Sequence, residues 1–316
     1  QWGRRCNHCL TKPLSEEKLL RCSRCRQFFY CGAACQKRDW SSHKHECPCL
    51  AAGTELSDDE LEQEIGRIAK ELGFLHTALS HEVAAEIGIV GRGDTTLVDA
   101  YLTPLLRAHV SDLAAALPGS RLRFMQSSGG LTDGARFRGP TALLSGPAGG
   151  VVGALTWGQK AGHKQIITFD MGGTSTDVSL CPGGPLYTRE LDIGGQAIAV
   201  PVIDIHTVGA GGGSLARVDP GGALRVGPTS AGADPGPICY GKGGKGVTVT
   251  DAHVWLGRLP TDAFLGGKGT LDRASIEPHL RSLAKQLGST LEGAAEGVLS
   301  VAASAMERAL RVISVE

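Results

Sequence analysis

Apolar positions along this chain change period several times, and each change marks an element. Leu61, Ile65, Ile68 and Leu72 recur at helical spacing, and Gly73 closes the stretch. Ser57 stands before it as N-cap with Glu60 three residues on, and Leu56 and Leu61 are placed as a hydrophobic staple. Residues 75–79 have strand character. A second helical pattern covers 95–117, with a kink expected at Pro104. Residues 122–126 have the apolar character of a buried strand and run into Ser127-Ser128-Gly129-Gly130. The glycine-rich run Ser145-Gly146-Pro147-Ala148-Gly149-Gly150 then opens a helix of small residues over 151–158. Such a loop can hold an anion at a helix N-terminus, or simply let helix and sheet pack closely.

The centre of the pattern is Ile166-Ile167-Thr168-Phe169-Asp170-Met171-Gly172-Gly173-Thr174-Ser175-Thr176-Asp177. A β-run ends in a carboxylate, two glycines and three hydroxyls, and a second strand begins at Val178. Glycines let backbone N–H groups approach an anion, and hydroxyls donate to its oxygens, which suits a phosphate. Asp170 beside a phosphate makes sense with Mg²⁺ or its waters between them. The plainer alternative is a tight hairpin rich in threonine. Residues 200–205 read as a strand in which Asp204 and His206 share one face, as site residues or as a structural pair. The run Gly209-Ala210-Gly211-Gly212-Gly213-Ser214 imitates a dinucleotide fingerprint, but a strand rather than a helix follows it at 215–218, so a glycine hairpin or nest is expected. Residues 227–237 form a rigid loop, 247–249 an apolar run, and 273–288 and 290–314 helices. Cys181 and Cys239 lie far apart, as inert cysteines would.

The first fifty residues follow another pattern. Cys6-x2-Cys9, Cys22-x2-Cys25, Cys31-x3-Cys35 and His43-x3-Cys47 are four close pairs of soft or borderline ligands, enough for two tetrahedral Zn²⁺ sites. A disulfide cluster is the competing reading; the histidine in the last pair favours zinc. So small a segment cannot fold on burial alone, and the metals would supply its stability. Cys49 is left over.

Charge adds little. Residues 1–50 hold 10 Lys/Arg against 4 Asp/Glu; the remainder holds 22 against 28, and the whole chain nets zero. No strongly basic face points to nucleic acid. No leader pattern or bilayer-length apolar run is present, and grouped cysteines suit a reducing, cytoplasmic compartment. The start at Gln1 and the end at Glu316 within a helical pattern are expected of a piece of something longer.

The run Tyr30-Cys31-Gly32-Ala33-Ala34-Cys35-Gln36-Lys37-Arg38-Asp39-Trp40, followed by His43, resembles the MYND zinc finger. That resemblance implies an interleaved arrangement, with Cys6, Cys9, Cys31 and Cys35 on one zinc ion and Cys22, Cys25, His43 and Cys47 on the other. It also implies an interaction module for proline-containing peptides, with Trp40 and the basic residues as candidate contacts.

From about residue 57 onward the chain resembles the hydantoinase A / 5-oxoprolinase family. The blocks that carry this are Asp94-Thr95-Thr96 with Asp99-Ala100-Tyr101-Leu102-Thr103-Pro104, then Gln126-Ser127-Ser128-Gly129-Gly130-Leu131, then Leu144–Gly153, the Phe169–Ser179 block, Asp204–Ser214, and Ser230-Ala231-Gly232-Ala233-Asp234-Pro235-Gly236-Pro237. The resemblance implies an actin-like (RNase H-like) α/β ATPase domain, present in part, that uses ATP and Mg²⁺ to open a small cyclic amide such as 5-oxoproline or a hydantoin. An unstrained lactam is a poor electrophile, and phosphorylating its oxygen improves it. On this reading Asp170 and Asp177 serve the metal or its waters, and His206 is a candidate catalytic residue. Gly172, Gly173, Thr174, Ser175 and Thr176 cradle phosphate, and Gly211, Gly212 and Gly213 line the opposite wall. The family's earlier phosphate hairpin is replaced by the finger, and the later nucleoside-closing segment and any hydantoinase B-like partner fall outside the chain. The expected organisation is a finger over 1–50 and an incomplete body over 57–316, not active alone. A MYND adaptor on a catalytically silent body is the alternative.

Overall fold

A computed structural model describes residues 57–189, 191–267 and 269–315, together with 20–21, 29–30 and 37–38. All eight expected zinc ligands lie outside the described residues, as do Trp40, Cys49 and Leu56. Within the finger segment, β1 (Leu20–Arg21) pairs antiparallel with β2 (Phe29–Tyr30). The chain divides into two compact units, residues 1–81 and 82–316.

In the first unit, α1 (Asp58–Glu71) starts as its sequence dictates. The Ser57 hydroxyl accepts from the Glu60 amide at 3.3 Å, and the Glu60 carboxylate accepts from the Ser57 amide at 2.7 Å. Asp58, Asp59 and Glu60 complement the positive end of the helix dipole, and Gly73 at φ 90° ends the run. The apolar stripe exists, yet none of its residues is buried. Residues 75–79 form no strand, contrary to their composition, because no second strand lies alongside among the described residues and Leu75 is fully exposed. Instead Ser80 and His81 return to Glu62, and their hydrogen bonds, that of Ser80 first, hold its carboxyl down at about 2. A single turn, α2 (Ser80–Val83), follows.

The second unit opens on α3 (Ile89–Ala116), which starts earlier than expected and runs through Pro104. The strand expected at 122–126 is only β3 (Phe124–Met125), paired with β4 (Leu131–Thr132). One turn, α4 (Gly139–Ala142), precedes α5 (Ser145–Lys160), the small-residue helix. Next come β5 (Gln165–Met171) and β6 (Thr176–Pro182), a hairpin, and then β7 (Tyr187–Thr188), β8 (Leu191–Ile193) and β9 (Gln196–Ile198). The strand expected at 200–205 breaks into β10 (Val202–Ile203), which pairs with β7, and β11 (His206–Val208), which pairs with β6. The break falls where the Asp204 amide donates to the Leu186 carbonyl. Strands β12 (Ser214–Val218) and β13 (Leu224–Ser230) pair antiparallel, so the strand expected after the glycine run is present, and β13 takes the first residues of the expected 227–237 loop. The run at 247–249 turns into a helix, α6 (Val249–Trp255), because Thr248 and Asp251 form a capping box. Helices α7 (Ile276–Leu287) and α8 (Leu291–Ser314) close the unit as expected.

The sheet that matters has the order β11–β6–β5, all antiparallel. Residues paired across it share a face, and neighbours in sequence alternate. Ile166, Thr168 and Asp170 therefore share a face with Asp177, Ser179, Cys181 and Thr207. Helix α5 covers that face, with Ala148, Val151 and Leu155 packed on Cys181 and Ile203. A side chain at Gly150 would meet Asp170 Oδ2 at 3.1 Å and one at Gly158 would meet Ile166 at 3.1 Å, so these glycines let helix and sheet approach closely. The opposite face carries Val178, Leu180, His206 and Val208, and α8 packs against β6 and β11. Ile167, Phe169 and Met171 on β5 stay 40–47% exposed there, and among the described residues β5 has no neighbour on its outer side. The largest core is formed by α6, α7 and α8, with Ile276, Leu280, Ala295 and Val298 fully buried.

Candidate phosphate-hairpin site

Sequence pairing places Asp170 directly opposite Asp177 at the mouth of the β5–β6 hairpin. Like charges directly opposite in an antiparallel pair repel, and their Cα atoms stand only about 4.5–5.5 Å apart. No ion pair among the described residues involves either acid. Asp170 is exposed and accepts no hydrogen bond from a described residue, whereas Asp177 Oδ1 accepts from Thr207 Oγ1 at 2.6 Å.

Between the two acids runs the turn Gly172-Gly173-Thr174-Ser175. The Gly172 amide donates to the Ser175 carbonyl at 2.8 Å. The amides of Gly173, Thr174 and Ser175 donate to no described residue, and Gly172, Gly173 and Thr174 are exposed. Successive open amides at a turn make an anion-binding concavity. Thr174 Oγ1 lies 3.3 Å from Ser230 Oγ, while Thr176 is fully buried and donates to the Ala210 carbonyl at 2.6 Å.

The glycine run after β11 folds onto this turn. The amides of Gly212 and Gly213 donate to the carbonyls of Gly172 and Gly173 at 3.0 and 2.6 Å, and the Gly211 amide donates to Ser214 Oγ at 2.8 Å. Thr250 in turn donates to the Gly212 carbonyl through its amide and its hydroxyl, at 2.8 and 2.9 Å. All three glycine amides are thus committed to protein oxygens, and the run serves as a backbone brace. A Cβ at Gly211 would lie 2.8 Å from Gly172 O, Gly173 C and Thr174 C, so only glycine fits.

The acids, the turn and the glycine run come together, but His206 does not join them. It pairs with Val178, one residue out of phase with Thr207 and Asp177, and so lies on the other face of the sheet. The residue that does reach an acid is Thr207, which the pattern did not single out. The alternation of His206 and Thr207 along β11 was the signal available. Cys181 and Cys239 are free and buried, and burial pushes both thiols above their ordinary value, as befits inert cysteines.

The donor set fits a nucleotide phosphate with Mg²⁺. Two carboxylates lacking a cationic partner face each other beside open amides, and no group of three or more metal-ligating side chains stands ready among the described residues. Mg²⁺ characteristically takes one or two carboxylates and completes its shell with phosphate oxygens and water.

The chain belongs to the hydantoinase/oxoprolinase family, whose profile matches residues 92–316, and residues 6–47 match the MYND finger. It is 42% identical over 269 residues to a 5-oxoprolinase of Saccharomyces cerevisiae, a match covering 80% of this chain and 21% of the yeast protein. It is likewise 42% identical over 247 residues to the caprolactamase subunit alpha of Pseudomonas jessenii, covering 75% and 35%. Among solved structures, the ATP-dependent caprolactamase from Pseudomonas jessenii superposes with a TM-score of 0.68 at 37% identity, over 82% of this chain and 39% of that one. A nucleotide-free acetone carboxylase gives 0.70 at 30% identity, over 81% and 38%. The chain therefore spans between a fifth and two fifths of the length of these relatives.

Proposed function

We propose that residues 57–316 form part of an actin-like ATPase body that binds ATP with Mg²⁺ for the opening of a small cyclic amide, and that residues 1–50 form a two-zinc MYND finger. The observation that carries the reading is the β5–β6 turn: open amides at Gly173, Thr174 and Ser175 between two unneutralised carboxylates. In this site the turn amides hold phosphate oxygens, and Asp170 and Asp177 hold the cation or its waters. Gly211, Gly212 and Gly213 keep the turn in shape. His206, on the far face, has at most an indirect part. When bound, ATP would supply the phosphoryl group that activates the amide carbonyl, electrostatic and positional work falling to the protein.

The relatives are about two to four times as long as this chain, which supports a cleft completed by further sequence and by a hydantoinase B-like partner, with ring opening in their presence. The finger would recruit a proline-containing peptide through Trp40 and its basic surface. Among the described residues no helix is long and apolar enough to cross a membrane, and grouped cysteines support a cytoplasmic, reducing setting. The second reading, a MYND adaptor on a catalytically silent body, is motivated by the finger at residues 6–47, which stands where the family's earlier phosphate hairpin is expected.

Calorimetric titration of the full chain with ATP, with and without Mg²⁺, separates the two. Saturable, Mg²⁺-dependent binding that Asp170→Ala removes supports the nucleotide site. Absence of binding under all conditions overturns it and leaves the adaptor.

A further inference from the structure

We infer that Thr207 is the positioning residue of this site: its hydroxyl turns the Asp177 carboxylate so that the remaining oxygen faces the cation shared with Asp170. The inference rests on the nucleotide reading above and adds a residue with a separate test. Thr207, Asp177 and Asp170 form one row across β11, β6 and β5, so their side chains share a face. Thr207 Oγ1 donates to Asp177 Oδ1 at 2.6 Å, a short, charge-assisted bond. The terminal torsion of an aspartate is broad, so an acid without such a bond swivels freely. No other described group donates to the Asp177 carboxylate, so this single hydroxyl sets its orientation. Asp170 has no such partner, and a Cβ at Gly150 would lie 3.1 Å from its Oδ2, so the glycine leaves that carboxylate its room.

Thr207 is itself exposed and contributes nothing to the core. Valine has the same shape and suits a strand equally well, so Thr207→Val removes the hydroxyl and little else. Hydrogen-bond partners behind metal ligands typically matter tenfold to a hundredfold in metal affinity. A hydroxyl that served only the sheet would change stability and leave the cation alone.

The test uses the full chain, with Mn²⁺ in place of Mg²⁺ so that bound metal is counted by electron paramagnetic resonance in the presence of ATP. Thr207→Val should weaken Mn²⁺ binding about tenfold or more. Thr207→Ser should restore it, and the Thr207→Val protein should still melt cooperatively, so that the loss is not one of folding. On an Asp177→Asn background, Thr207→Val should add nothing, because the hydroxyl acts through that carboxylate. Wild-type Mn²⁺ affinity in Thr207→Val, or an equal loss on both backgrounds, overturns the positioning role while the nucleotide site stands. If the wild-type chain binds ATP with no response to Mn²⁺, the cation role of the two acids falls, and the role of Thr207 falls with it.

Discussion

The amide of Gly213 donates to the carbonyl of Gly173 at 2.6 Å, so the loop leaving β11 holds the turn that closes β5 and β6. Gly211 sits at the tightest point of this contact, against three backbone atoms that cannot rotate away. Gly211→Ala is therefore expected to cost roughly 1–3 kcal/mol by overpacking and to weaken ATP binding by displacing the turn. Gly153→Ala is the control, since its Cβ would meet nothing within 4 Å and alanine suits a helix better. Denaturant melts and ATP titration of both variants check this; equal behaviour would remove the brace.

Asp251 is fully buried, and its carboxylate accepts from the amides of Ile238, Cys239 and Thr248 and from the Thr248 hydroxyl. Asp251→Ala orphans those donors inside the largest core. A loss of about 3 kcal/mol or more is expected in urea unfolding, with a smaller loss for Asp251→Asn.

His253 on α6 has its imidazole held below the ordinary value, first by burial and then by the Arg258 charge. As pH falls, the unfolded chain takes up this proton before the folded one does. The contribution of neutral His253 is full above about 6.5 and is lost as pH falls from there toward the lower folded value. Thermal melts between pH 7.5 and 5, read with about that pH span, should show a smaller decline for His253→Gln than for wild type. Parallel declines would contradict the assignment.

The finger makes its own prediction from its ligand spacing. Elemental analysis should find two Zn²⁺ per chain, and Cys31→Ser should lower that figure. A strong chelator should unfold residues 6–47, seen as new protease cleavage there, because metal binding is the folding free energy of so small a segment. Full retention of protection without zinc would exclude it.

How far the sequence revealed this molecule depended on whether the signal was local. Ser57 and Glu60 announced α1, and the Asp170–Asp177 stretch announced the turn between β5 and β6, because caps and glycine turns are written within a few residues. Thr248 and Asp251 formed a capping box as well, but the β-branched neighbours Val247 and Val249 masked it. The segment 75–79 had strand composition without a strand to pair with, which only tertiary context decides. The commitment of the Gly212 and Gly213 amides to the turn carbonyls was also out of reach, since it joins residues far apart in the chain. The spacing of Asp204 and His206 said nothing of where Asp177 would lie, and the pairing of His206 with Val178 puts it on the face away from that acid.

Among the described residues, strand β5 leaves a row of greasy side chains, Ile167, Phe169 and Met171, along an open rim of backbone donors and acceptors. Such a rim is a template on which a second polypeptide can crystallise strand by strand. At high concentration the protein should aggregate through this edge, and Phe169→Lys should keep it in solution.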